Sequence, residues 1–103
     1  MLNLHLNVRP KTALRLKKVL EYSRDEEAFA QNVIAYQLSE LKRASLNLRL
    51  DMQVFEEKYQ LSSAAFYEKF RLGEMGDDAD SITWAGLVEM LTENERRQQE
   101  LEA

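Results

Sequence analysis

The chain has no cysteine, one proline, three glycines and one histidine in 103 residues. Without cysteine there is no disulfide, no thiolate nucleophile and no cysteine-based metal site. A lone His5 cannot complete a histidine metal cluster or a Ser-His-Asp triad, and no glycine-rich loop is present to cradle a phosphate. No cofactor, no metal and no enzymatic activity are therefore expected. Three glycines and one proline leave few places for hairpins. No apolar run approaches the roughly 20 residues of a membrane span and nothing resembles a signal peptide, so the expectation is a cytoplasmic chain without membrane contact.

What is present reads as folded and strongly helical: 45% hydrophobic and 31% charged residues. The net charge of −4 hides a division. Residues 1–50 carry nine Lys/Arg and five Asp/Glu, net +4; residues 51–103 carry five and thirteen, net −8. A basic front and an acidic back suggest two different partners, one of them anionic, although a solvated charge pattern with no partner has the same totals.

Residues 2–8 alternate strictly. Leu2, Leu4, Leu6 and Val8 take one side and Asn3, His5 and Asn7 the other, the period of a half-buried strand. Pro10 ends this pattern and suits the first turn of a helix over 10–22, with Ala13, Leu14, Leu16, Val19 and Leu20 on its apolar face. Ser23 or Asp25 is placed to cap a second helix, with Glu26 and Glu27 in its first turn. That helix runs long, from about 26 to 60, because Ile34, Leu38, Leu41, Ser45, Leu48, Met52, Phe55 and Tyr59 recur at steps of four and three like a coiled-coil seam. Leu46, Leu48, Leu50, Met52 and Val54 also alternate like a strand, but over a shorter stretch, and the longer pattern wins. Ser62 or Ser63 would cap a short helix carrying Ala65, Phe66, Phe70 and Leu72, stopped at Gly73 by a left-handed cap. Asp80 or Ser81 would cap a last helix with Ile82, Trp84, Ala85, Leu87, Val88 and Leu91.

A single strand followed only by helices has no partner in its own chain, and the simplest supply is the same strand of a second subunit. Strand, helix, helix in this order, carried by Leu4-His5-Leu6-Asn7-Val8-Arg9-Pro10, Leu14-Arg15-Leu16-Lys17-Lys18-Val19-Leu20 and Asp25-Glu26-Glu27-Ala28-Phe29-Ala30-Gln31-Asn32-Val33-Ile34, resembles the ribbon-helix-helix family of transcriptional repressors. The likeness covers about residues 1–43, leaving 44–103 as a helical partner-binding extension. It implies a mainly α fold, closed as a homodimer by an antiparallel ribbon whose core is Leu2, Leu4, Leu6 and Val8. It further implies that Asn3, His5 and Asn7 read base edges in operator DNA, and that Arg9, Lys11 and Arg24 contact phosphates. Asp25, Glu26 and Glu27 oppose a phosphate at that helix start. A dimerisation ribbon whose polar face meets only solvent is the competing reading.

Phe55-Glu56-Glu57-Lys58-Tyr59, Ser62-Ser63, Phe66, Phe70, Gly73-Glu74, Gly76-Asp77-Asp78, Asp80 and Trp84 resemble the C-terminal signature of small prokaryotic antitoxin-like proteins. That pattern usually has glycine after the tyrosine. Here the position is Gln60, which argues against a tight left-handed turn. The resemblance implies an antitoxin of a toxin–antitoxin pair. The protein would repress its own operon and neutralise a toxin, a nuclease, through Phe66, Tyr67, Phe70 and Trp84. Read from the residues alone, Phe66, Phe70 and Trp84 suit a core within the segment better than an interface, with Tyr67 and the acidic residues 74–80 as the exposed rim. Two other readings stay open: a transcriptional regulator without a toxin partner, and a dimeric assembly protein that does not bind DNA. Asp77, Asp78 and Asp80 fail as a calcium loop, because the required glycine position would be Thr83, and suit a helix cap instead.

Overall fold

The structure is a computed structural model of Met1–Ala103 and describes residues 1–23 and 25–103. Four helices follow one another: α1 (Pro10–Tyr22), α2 (Glu26–Tyr59), α3 (Ser63–Arg71) and α4 (Ala79–Glu102). The chain divides into two compact units, Met1–Ala35 and Tyr36–Ala103, with the boundary inside α2.

The expected N-terminal strand is absent. Residues 1–9 carry no regular secondary structure, and no strand occurs among the described residues. The ribbon-helix-helix fold with Leu2, Leu4, Leu6 and Val8 as a ribbon core is therefore corrected to an all-helical one. The physical reason is that alternation marks which side chains share a face, whereas a strand exists only through ladder bonds to a second strand. This chain contributes only one such segment. All four apolar residues are exposed instead, Leu2 at 84% and Leu4 at 65%.

Helix α1 begins where the sequence places it. Arg9 is extended, Pro10 occupies the first helical turn, and the Ala13 amide donates to the Arg9 carbonyl at 2.9 Å. The helix stops at Ser23, whose amide donates to the Val19 carbonyl. At the start of α2 the Asp25 carboxylate accepts from the Glu27 amide at 3.0 Å, as a cap does.

In the Tyr36–Ala103 unit, α2 and α4 run antiparallel. Lys42 pairs with Glu102, Arg49 with Glu95 at 2.5 Å and Lys58 with Asp80 at 2.7 Å. The seam residues Ser45 and Met52 are buried, and Leu48 and Phe55 pack on the core. The middle of the heptad is thus covered within the unit, whereas Ile34 and Tyr59 at its two ends are exposed. Ser45 is its polar member, and its buried hydroxyl has no hydrogen-bond partner.

Two turns shape the unit. Helix α3 ends in a Schellman motif: the Gly73 amide donates to the Phe70 carbonyl and the Glu74 amide to the Lys69 carbonyl, with Gly73 at φ +77°. The α2–α3 turn is left-handed as well, with Gln60 at φ +50°, so the missing glycine has not removed it. The Gln60 side chain donates to the Glu57 carbonyl at 2.8 Å, and the Leu61 amide donates to the Glu56 carbonyl. A side chain in this region costs about 1 kcal/mol that glycine does not incur. Gln60→Gly is expected to raise the midpoint of thermal unfolding by a few degrees, as read by circular dichroism, whereas Gly73→Ala should lower it.

Candidate functional site

Two surfaces of opposite character emerge, one in each unit. In Met1–Ala35 nothing is buried among the described residues: α1 has no buried residue, and Leu14, Val19 and Leu20 are exposed with the four leader apolar residues. A shallow groove beside them is lined by Thr12, Arg15, Leu16 and Val19.

The described cations of this unit stand without ion pairs. Arg9, Lys11, Arg15, Lys17 and Lys18 make no ion pair among the described residues. Asn3, His5, Asn7, Arg9 and Lys11 are all exposed, the first four within the irregular residues 1–9 and Lys11 in the first turn of α1. The remaining phosphate candidate, Arg24, lies outside the described residues. The helix start beside it is acidic: Asp25 occupies an amide donor, and Glu27 accepts from Gln31 at 2.9 Å.

Tyr36–Ala103 is built around Trp84. The indole stacks on Phe66 at 3.9 Å between ring centroids and 4° between planes, and both rings are almost fully enclosed, at 1% and 0% exposure. Phe55 and Tyr59 from α2 stack against the indole at 5.7 and 5.8 Å. The indole N–H donates to the buried Ser63 hydroxyl at 2.8 Å, so its one polar atom is satisfied. Of the four residues expected to meet a partner, Phe66 and Trp84 are thus packed inside the unit. Phe70 and Tyr67 are half-buried beside them, and the Tyr67 hydroxyl donates to Glu89 at 3.0 Å.

Charges in this unit are paired internally. Among the described residues every cation except Lys69 has a carboxylate of the same unit within reach. Eight cations face fourteen carboxylates, net −6, and Asp51, Glu57, Glu74 and Asp77 have no cation against them among the described residues. No group of three or more metal-ligating side chains comes together among the described residues. Asp78 caps α4, accepting from the Ser81 amide and hydroxyl, which hold its carboxyl below the usual range. The cap is thus two or three residues earlier than Asp80 or Ser81. Asp80 instead ties α4 to the end of α2: Lys58 and Tyr59 both donate to it and depress its carboxyl, while the Tyr59 hydroxyl is pushed up. Arg96, followed by Arg97, pulls Glu93 down to about 2.

Sequence reasoning missed the Asp80 tie and the Ser63 acceptor, since neither is local and no short spacing announces them. It also missed an outer apolar ladder on α2, Leu46, Leu50 and Val54, whose four-residue spacing was visible but coincided with the strand-like alternation.

A carboxyl depressed in the folded state contributes stability that is present above its unfolded value and lost as the pH falls through the folded one. Asp78, Asp80 and Glu93 all have that sign, so the unit should lose stability as the pH drops below about 4. Asp80→Asn is expected to lower the thermal midpoint at pH 7 and to flatten its acid-side decline, as measured by melts between pH 2 and 7. An unchanged slope would mean the tie contributes nothing.

No protein-family model, curated protein or solved structure matches the chain, so the two surfaces themselves carry the functional argument.

Proposed function

We propose that the chain is an antitoxin-like regulator: it self-associates and binds operator DNA through its N-terminal unit, and neutralises a basic protein toxin through its C-terminal unit. The observation that carries this reading is the unequal treatment of charge. Cations of Met1–Ala35 stand without ion pairs among the described residues, beside an unburied apolar surface, while those of Tyr36–Ala103 other than Lys69 are paired within the unit and leave carboxylates in excess. Unpaired Lys/Arg on a self-associating unit suit a phosphate backbone, which gains affinity from each counterion released. Arg9 and Lys11 supply that contact. Asn3, His5 and Asn7 supply donors and acceptors for base edges, and their exposure leaves them accessible.

The excess of carboxylates suits a basic partner by complementarity, as an RNA-cleaving toxin would be. Tyr67, the half-buried Phe70 and the acidic loop after α3 form the accessible part of that surface; Phe66 and Trp84 support it from within. No described helix is long and apolar enough to cross a membrane, which accords with a cytoplasmic site of action.

One observation favours a second reading, a dimeric assembly protein that does not bind DNA: the Asp25 carboxylate already occupies the start of α2, where a phosphate would otherwise sit.

Binding to the DNA immediately upstream of its own gene, at two salt concentrations, separates the two. The wild type is expected to prefer that duplex over a scrambled one and to weaken with salt. Alanine at Asn3, His5 and Asn7 together should abolish the preference while leaving general affinity. Alanine at Arg9 and Lys11 should weaken both duplexes equally and reduce the salt slope by about one for each phosphate no longer neutralised. No salt-dependent binding to either duplex would eliminate the DNA-binding reading in favour of the assembly protein.

A further inference from the structure

Within the Tyr36–Ala103 unit α2 is apolar on two opposite sides. Leu48, Met52 and Phe55 turn inward onto the aromatic core. Leu46, Leu50 and Val54 form a second ladder that is 56%, 52% and 63% exposed. At roughly 100° per residue, Leu50 lies almost diametrically opposite the inward row. No helix of the unit covers it. Rows of side chains spaced by four are the ridges that helices interdigitate when they pack.

We infer that this ladder is a self-association face, on which a second copy of the chain lays its own ladder antiparallel about a two-fold axis at Leu50. The charges flanking the ladder select this occupant and this direction. Arg43 and Glu57 lie seven residues to either side of Leu50, on the same outer line of the helix. With Leu50 against Leu50, an antiparallel pair sets Leu46 level with Val54 of the second copy and Arg43 level with its Glu57. A parallel pair sets Arg43 beside Arg43 and Glu57 beside Glu57, two like-charge contacts. Glu57 has no cation of its own among the described residues. Arg43 is held only by Glu40 among the described residues, three positions away in an exposed pair of the kind that contributes little. Both ends are thus ready for an intermolecular partner.

The interface is isologous, the same patch on both copies, as two-fold symmetry requires. It does not depend on the N-terminal unit or on DNA and toxin binding. A chain with two self-association faces assembles beyond a dimer.

The test is the molar mass of the full-length protein by sedimentation equilibrium across the micromolar range, with circular dichroism as the folding control. Leu50→Glu places two carboxylates on the axis, and because Leu50 is outside the core the helical signal should persist. The expected result is a molar mass halved at the concentrations where the wild type is at its largest assembly, from tetramer to dimer with the N-terminal unit associating and from dimer to monomer without it. Arg43→Glu should weaken the association about tenfold, and adding Glu57→Arg should restore it. An unchanged mass for Leu50→Glu would overturn the proposal, and is also the outcome if the ladder instead receives a different protein. A double charge swap that stays as weak as the single one would overturn the antiparallel arrangement.

Discussion

An indole ring is worth burying only when its N–H finds an acceptor, and the C-terminal unit is arranged around meeting that condition. Trp84 on α4 donates to Ser63, the first residue of α3, and stacks on Phe66 one turn further along the same helix. Phe55 and Tyr59 close the stack from α2. One side chain thereby fixes the positions of three helices. Burying aromatic rings of this size stabilises by roughly 3 kcal/mol each, large against the few kcal/mol that separate folded from unfolded in a unit this small. The capping Ser62 and the Glu56 carboxylate, which accepts from the Ser63 amide at 2.9 Å, hold the acceptor in place. The Asp80 tie and the Schellman turn at Gly73 then set how α3 hands the chain to α4.

The N-terminal unit has no counterpart to Trp84. Its apolar residues lie on residues 1–9, which carry no regular structure, on α1 and on the first turns of α2, and none of the described ones is buried. On the proposed function, association completes such a segment, and a polyanion is the partner of the cations that stand without an ion pair among the described residues. The acidic excess of the other unit opposes the same polyanion. The two units thus differ in the sign of their net charge, and α2 belongs to both.

Much of the helical layout was legible in residues with local consequences. Pro10 marks the start of α1, Ser62 caps α3, and Gly73 takes the left-handed turn that ends it. The long seam from Ile34 to Tyr59 marked α2 as a helix and nearly set its length, because a sustained period averages out local ambiguity. The strand at residues 2–8 failed for the converse reason: its alternation is a statement about faces, and the ladder it needs is not in the chain. Gln60 shows a tertiary requirement overriding residue preference, since the α2–α3 turn is left-handed whether or not glycine supplies it. The aromatic cluster suited both a core and an interface, and only packing could assign Phe66 and Trp84 to the inside. The outer ladder stayed hidden because Leu46, Leu50 and Val54 interleave with the inward Leu48 and Met52, and two apolar faces together imitate a strand.

The C-terminal unit buries a core of its own and the described residues of the N-terminal unit do not, and the proposed function depends on that difference. Hydrogen exchange of the full-length protein at nanomolar and at high micromolar concentration tests it directly. Amides of α1 should be protected only at the high concentration, while those of α3 and α4 around Trp84 and Phe66 keep their protection at both. Protection of α1 that does not change with concentration would contradict the account, because it would mean the N-terminal unit is stable without a second copy.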